Sequence, residues 1–206
     1  MFNEVLVGAQ TNMSDGLVAK ARAGRQGDQI ISELHGRYYE QTYRNNMFFG
    51  ATQALVTTTV GLATTYTGLV LSNPINAAVN LVLNKASMMQ SVIQATQVEA
   101  FAIATGFNAA TNVTHSSAVT PRSCLIGSGK TPVGLTDVSA TLPTAPFYSI
   151  FVTNTGTIAA DSTGLQVVDL EGSIILIPGA YALWVTPAQA SVAGMWFSFQ
   201  WEEVPI

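Results

Sequence analysis

The stretch Gly194-Met195-Trp196-Phe197-Ser198-Phe199-Gln200-Trp201-Glu202 decides the fold class, because its bulky apolar side chains recur at every second position. Successive side chains of a β-strand point to opposite faces. We therefore expect Met195, Phe197, Phe199 and Trp201 to lie in a core. The side chains between them are expected to face the other way.

Segments of similar character precede this strand and are separated by Gly, Pro, Asn or Asp turns. They span residues 147–154, 165–170, 173–177 and 181–186. Short strands at such intervals are typical of an antiparallel sandwich. The run 173–177 is apolar on both faces, which predicts a strand buried on both sides, and Pro178-Gly179 then turns the chain back.

The middle of the chain continues this pattern less clearly. Strands are predicted at 54–60, 64–71 and 80–87, and Pro74 ends the second of them because proline cannot donate to a sheet ladder. Residues 94–106 fit a helix or a strand equally well. Residues 106–147 are rich in Pro, Gly, Asn, Ser and Thr and predict a long loop excursion with short strands, a common place for subunit contacts.

Charge divides the chain into an arm, residues 1–45, and a body, residues 46–206. The chain has 8 Lys or Arg and 12 Asp or Glu; five of each precede residue 46, which leaves ten charges for the 161 residues of the body. An ordinary soluble domain is about 25% charged. We therefore expect copies of the chain or a larger assembly to cover the body. The alternative is a monomer solvated by Thr, Ser, Asn and Gln.

The arm is predicted to be extended and to contain a β-hairpin. Strand-like segments at 29–34 and 37–43 flank His35-Gly36, where glycine can adopt a positive φ. Such a hairpin is marginally stable alone, so we expect it to lie on the body or on a neighbouring subunit.

The second segment and its flank carry the residues that we predict to form an interface: Arg37, Tyr38, Tyr39, Tyr43 and Arg44. Tyrosine and arginine are enriched at protein interfaces. Stacking on single-stranded nucleic acid is the alternative. Glu40 lies among these residues, no basic track extends from them, and the net charge is −4, so nucleic-acid binding is not expected.

No catalytic, metal or cofactor motif is complete. Gly127-Ser128-Gly129-Lys130-Thr131 resembles the end of a phosphate-binding loop, but Cys124 stands where that motif needs its first glycine, and Pro132 follows in place of a helix. His115 has no nucleophile motif around it. The single cysteine and two histidines make an ordinary zinc site improbable. We expect no enzyme activity and no cofactor.

The sequence pattern predicts neither a secretory signal nor a membrane span. The first residues have no positive segment followed by a long apolar one, and no apolar run approaches the ~18 residues of a membrane span. We expect folding in a reducing cytoplasm, with no membrane partner.

Four segments carry a resemblance to a known class of protein. They are residues 32–40 (Ser-Glu-Leu-His-Gly-Arg-Tyr-Tyr-Glu), 64–74 (Thr-Thr-Tyr-Thr-Gly-Leu-Val-Leu-Ser-Asn-Pro), 80–83 (Asn-Leu-Val-Leu) and 201–205 (Trp-Glu-Glu-Val-Pro). In this order they resemble virion structural proteins of tailed bacteriophages.

The resemblance implies a β-sandwich or jelly-roll body that forms homotrimers on the capsid surface of the virion, as a head cement or decoration protein assembled in the bacterial cytoplasm. The arm would then reach a neighbour or the major capsid protein. The alternative is a tail, fibre or baseplate component or a carbohydrate-binding adhesin. Fibres usually show repeats or heptads, and this sequence has neither, which favours the head.

Overall fold

A computed structural model describes residues 36–90, 100–152, 165–187 and 191–206, with the side chains of 191–193 left aside. Two antiparallel sheets pack face to face in it, so the predicted β-sandwich is confirmed. The sandwich lies in a compact unit that spans Glu40–Ile206.

The described elements comprise one short helix and thirteen strands. In chain order they are α1 (Tyr39–Tyr43), β1 (Met47–Ala51), β2 (Val56–Thr58), β3 (Thr65–Ser72), β4 (Val79–Gln90), β5 (Phe101–Phe107), β6 (Thr114–His115), β7 (Ala118–Val119), β8 (Arg122–Ser123), β9 (Leu135–Thr141), β10 (Phe147–Val152), β11 (Leu165–Leu176), β12 (Ala180–Val185) and β13 (Ser191–Pro205).

The strand order of each sheet follows from antiparallel pairing. The first sheet runs β11-β4-β13-β1-β8, with β2 also paired to β13. The second runs β10-β5-β12-β3-β9-β6, with β7 also paired to β9. Strand β13 is therefore interior to the first sheet, whereas β10 and β11 each end a sheet among the strands that the structure describes.

The core between the sheets is built on the alternation of bulky side chains in β13. Met195, Phe197, Phe199 and Trp201 are each at most 2% exposed, as predicted. The Trp184 ring, from β12 of the other sheet, stacks on Phe197 with centroids 5.7 Å apart and on Phe199 at 6.1 Å. Stacked aromatic pairs contribute about 0.5–1.5 kcal/mol beyond their burial. These rings join the two sheets directly.

The second sheet is also buried on its other face. Tyr66, Tyr181 and Leu183 form a second apolar cluster there, together with Val113 and Leu142 from segments outside the strands. All six residues of β12 are buried in consequence.

The prediction that 173–177 is buried on both sides is wrong, because this segment belongs to β11 at the end of the first sheet. Ile175 is 52% exposed and Ile177 48%. Segments 165–170 and 173–177 also form one strand rather than two. Both pair with β4, and an irregularity between Asp169 and Ile174, where Glu171 and Gly172 have positive φ, joins them.

Two turns at the same end of the sandwich are tied together by Asn73. Its side-chain amide donates to the carbonyls of Val79 (2.8 Å) and Leu176 (2.9 Å), and its main chain pairs with Gly179 and Ala180. The predicted turns at Ser72-Asn73-Pro74 and Pro178-Gly179 are therefore present, and one buried side chain satisfies backbone groups at both.

The strand predicted at 37–43 is wrong, because Tyr39–Tyr43 is a short helix. The Arg44 amide donates to the Glu40 carbonyl at 2.9 Å, and the two side chains form an ion pair with Nε and Oε1 2.5 Å apart. Opposite charges four residues apart favour a helix by about 0.2–0.5 kcal/mol, a signal that the prediction of a strand left out. The partner strand predicted at 29–34 lies outside the described residues.

The predicted loop excursion at 106–147 is correct for its two-residue strands β6, β7 and β8 but misses β9. This seven-residue strand pairs with β3 and belongs to the second sheet. The ambiguous stretch 94–106 resolves as strand β5 from Phe101 onward; residues 91–99 are outside the description.

Gly106 is required by the packing of a tyrosine. A Cβ at this position would overlap the Tyr181 ring, whose hydroxyl donates to the Thr144 carbonyl at 2.6 Å. Gly106→Ala should lower the free energy of unfolding by about 1–3 kcal/mol, because overpacking moves the ring from its hydrogen bond. Urea denaturation measures the loss. Gly36→Ala is the control, since a Cβ there meets nothing within 4 Å; equal midpoints for the two variants would contradict this packing role.

Candidate interaction surface

An apolar surface runs along the two strands that end the sheets, β10 and β11. Phe147 and Phe151 of β10 are 60% and 69% exposed. A cavity of about 210 Å³ joins the strands, and Phe107, Phe147, Ile175 and Ile177 line it. We call the exposed apolar side chains of Phe107, Phe147, Phe151, Ile175 and Ile177, together with the outer backbones of β10 and β11, the open edge.

The open edge is poor in charge. Strand β10 contains no charged residue, and β11 contains only Asp169 and Glu171. Asp169 is committed to Lys85 of β4, with Oδ1 3.3 Å from Nζ. A strand that ends a sheet has a row of backbone donors and acceptors directed outward, which invites pairing with another chain unless charge protects it. Within the described ranges, this surface has few charged side chains to protect it.

The interface residues predicted from the sequence lie around α1. Tyr39 and Tyr43 are exposed, Arg44 is paired with Glu40, and the Arg37 guanidinium lies 5.8 Å from the centroid of the Tyr38 ring. Two tyrosines and a cation are thus presented near one short helix. Their role in an interface stays a prediction.

A polar cluster of Ser72, His115 and Asp137 was not foreseen from the sequence. Ser72 and His115 share a hydrogen bond, whereas His115 Nδ1 makes none within the described residues. Ser72 Oγ lies 3.1 Å from His115 Nε2, and His115 Nδ1 lies 3.4 Å from Asp137 Oδ2. The three side chains come from β3, β6 and β9, which the second sheet places close together. The order serine, histidine, aspartate is that of a nucleophilic triad.

The surroundings of these three side chains indicate a structural role. Ser72 is 4% exposed and its strand is paired on both sides, with β12 and with β9, so its hydroxyl lacks the open approach that a substrate needs. Asp137 is fully buried, and its carboxylate accepts from the amides of Ser117 (3.1 Å) and Ser139 (2.6 Å). Buried charge is tolerated when it is hydrogen-bonded in this way. The network fastens the 115–117 segment to the sheet.

Glu203 is a second buried carboxylate that fastens a loop. Its Oε1 accepts from the amides of Val133 (2.7 Å) and Gly134 (2.9 Å) and from Trp201 Nε1 (3.4 Å). The sequence placed Glu202 and Glu203 on opposite faces of a strand, and this is correct: Glu203 is 5% exposed, whereas Glu202 is only partly buried.

The remaining chemical candidates do not come together. Gly127–Thr131 lie in a loop with no helix after them. Cys124 is half-buried, burial raises the pKa of its thiol, and its sulfur contacts Gln200 Nε2 at 3.5 Å. Within the part of the chain that the structure describes, no three His, Cys, Asp or Glu side chains could hold a metal ion, and no helix is long and apolar enough to cross a membrane.

Glu203→Ala should lower the free energy of unfolding by about 1–3 kcal/mol, because it leaves buried backbone donors without an acceptor. Glu202→Ala, one residue away on the other face, is the matched control and should change stability by less than about 0.5 kcal/mol. Chemical denaturation of both variants measures the difference. Similar losses would show that Glu203 does not anchor the 133–134 segment.

The stability of the fold should depend on pH through His115. Burial lowers the pKa of His115 from its usual 6.5, against the opposing effect of Asp137. The unfolded chain therefore binds a proton more readily than the folded one, so stability falls as pH drops from about 6.5 through the lowered folded pKa. His115→Gln should lack this component when urea midpoints at about pH 8 and about pH 5 are compared. Identical pH dependence in the two proteins would contradict it.

Comparison with known proteins identifies no relative. No protein-family model, no curated protein and no solved structure matches this chain.

Proposed function

We propose that this chain is a structural, self-associating virion protein: a head cement or decoration protein of a tailed bacteriophage, which forms homotrimers and stabilises the capsid by binding the major capsid protein. The observation that carries self-association is the open edge. The choice of a phage head rests on the resemblance of four sequence segments, and the sandwich fold is compatible with it.

The open edge supports self-association because burial of its apolar side chains is favourable by about 25 cal/mol per Å² of surface removed from water. A second copy supplies both an apolar surface and backbone groups for the outer sides of β10 and β11. Closed rotational symmetry would cover the same surface in every copy. The body has only ten charged residues whose repulsion could oppose association of its copies. Strand β10 contributes none of them.

The segment around α1 is proposed as a second contact, with a neighbour or with the major capsid protein. Tyr39 and Tyr43 expose large rings there, and aromatic side chains contribute much of the affinity of protein interfaces. A segment that docks on an adjacent subunit raises the effective concentration of the remaining contacts. The proposed role is mechanical.

Replacement of Phe147 and Phe151 by serine should convert the trimer to monomer, because it removes two large exposed rings from the open edge. Sedimentation velocity at several protein concentrations measures the change. Leu135→Ser is the control, since Leu135 is 42% exposed on β9, away from β10 in the strand order. Unchanged circular dichroism would show that the double variant is folded. A wild-type chain that sediments as a monomer would sink self-association itself.

Location on the virion is a separate test. Electron microscopy of particles assembled with a labelled chain should place the label over the head shell. Added chain should also raise the temperature at which shells release their contents, because it cross-links capsid subunits. Label at the tail would replace the head assignment with a tail or baseplate role and leave the self-association result standing.

A further inference from the structure

An open cavity that the proposed function does not use lies between residues 120–123 and the loop that joins β8 to β9. Its volume is about 340 Å³, and the residues that line it include Arg122, Gly127, Ser128, Gly129 and Lys130. It contains the segment whose sequence resembles the end of a phosphate-binding loop. The helix of that motif is lacking after Lys130, and residues 125–131 line the cavity instead.

The backbone at the rim alternates in handedness. Gly127 and Gly129 have φ of 89° and 72°, and Ser128 between them is not among the residues with positive φ. Alternation of this kind turns successive amides toward one side and forms an anion-binding concavity. The Ser128 amide donates to the Leu125 carbonyl at 3.1 Å. The amides of Gly127 and Gly129 have no acceptor among the described residues.

The charge on the cavity is of one sign. Arg122 and Lys130 line it, and none of its lining residues is acidic. Lys130 Nζ is held 3.5 Å from Asn46 Oδ1 and 5.5 Å from the centroid of the Phe48 ring, both uncharged groups. Within the described ranges, no carboxylate lies within 4.0 Å of either cation. This places two of the three basic residues of the body at one cavity.

We propose that this cavity binds a phosphate group, either free phosphate or the terminal phosphate of a monoester. The amides of Gly127 and Gly129 donate to its oxygens, and Arg122 and Lys130 neutralise its charge. Arginine suits this role because its planar guanidinium donates two parallel hydrogen bonds to an oxyanion. The site needs neither magnesium nor a nucleotide base, which distinguishes it from the motif that its sequence resembles.

The test is a titration of the full chain, labelled with ¹⁵N, at constant ionic strength. Sodium phosphate should shift the amide resonances of Gly127, Gly129 and Lys130, and sodium chloride should not. Equal shifts with chloride would overturn the proposal. A parallel titration with glycerol phosphate distinguishes the two sources: saturable shifts of the same amides indicate a terminal phosphate, and their absence restricts the site to the free ion.

Arg122→Gln should weaken phosphate binding by roughly tenfold, as expected for loss of a charge-assisted hydrogen bond. Lys85→Gln is the matched control, because Lys85 lies on β4 beside Asp169 and does not line the cavity. Equal phosphate affinity for the Arg122 variant and the wild-type chain would overturn the proposal. Unchanged resonances away from the loop would confirm that both variants are folded.

Discussion

The stack of Trp184 on Phe197 and Phe199 is the contact on which the sandwich depends. It places a ring from β12 of one sheet against two rings from β13 of the other. Phe101, which also belongs to the second sheet, contacts Phe197 edge-on, with ring centroids 6.5 Å apart. Each strand is interior to its own sheet. The other strands of each sheet are held in place, through backbone pairing, relative to the strands that carry these rings. On the opposite face of the second sheet, Gly106 and the Tyr181 ring are also in close contact.

The sequence predicts the sandwich because its strongest signal is an alternation of large side chains. Such alternation indicates a strand with one buried face. The four core residues of β13 follow directly from it. A continuous apolar run fits a strand buried on both faces or a strand at the end of a sheet. The sequences of β12 and the 173–177 segment look alike, yet only β12 is covered on both faces. Which one is interior depends on strand order, and strand order is set by contacts between segments far apart in sequence.

The polar network escapes sequence reasoning for the same reason. Ser72, His115 and Asp137 are separated by 43 and 22 positions, and only the pairing of β3, β9 and β6 assembles them. Helix α1 could have been found from the Glu40 and Arg44 spacing, which the tyrosines obscured. The burial of Glu203, in contrast, has no local signal, since its backbone donors Val133 and Gly134 lie about 70 residues away.

Two of the few acidic side chains of the body are used inside it. Asp137 and Glu203 are buried and accept hydrogen bonds from loop amides, so they hold segments in place and do not solvate the surface. A count of charges therefore overstates the charge that the body presents to water. The surface of the body therefore carries fewer charges than the composition indicates. Its charge density is lower still than that of an ordinary soluble domain.

The position of β13 in the first sheet sets the order in which the protein can be made. It follows all the other described strands in the sequence, yet it lies between β1 and β4. A ribosome adds about 5–20 residues per second, so the strands that flank β13 wait for seconds with neither their hydrogen-bonding partner nor half of the aromatic layer. The first sheet closes only after residues 191–205 have emerged. Until then β1 and β4 lack the strand that they share as a neighbour, and their unpaired edges are open to pairing with other chains.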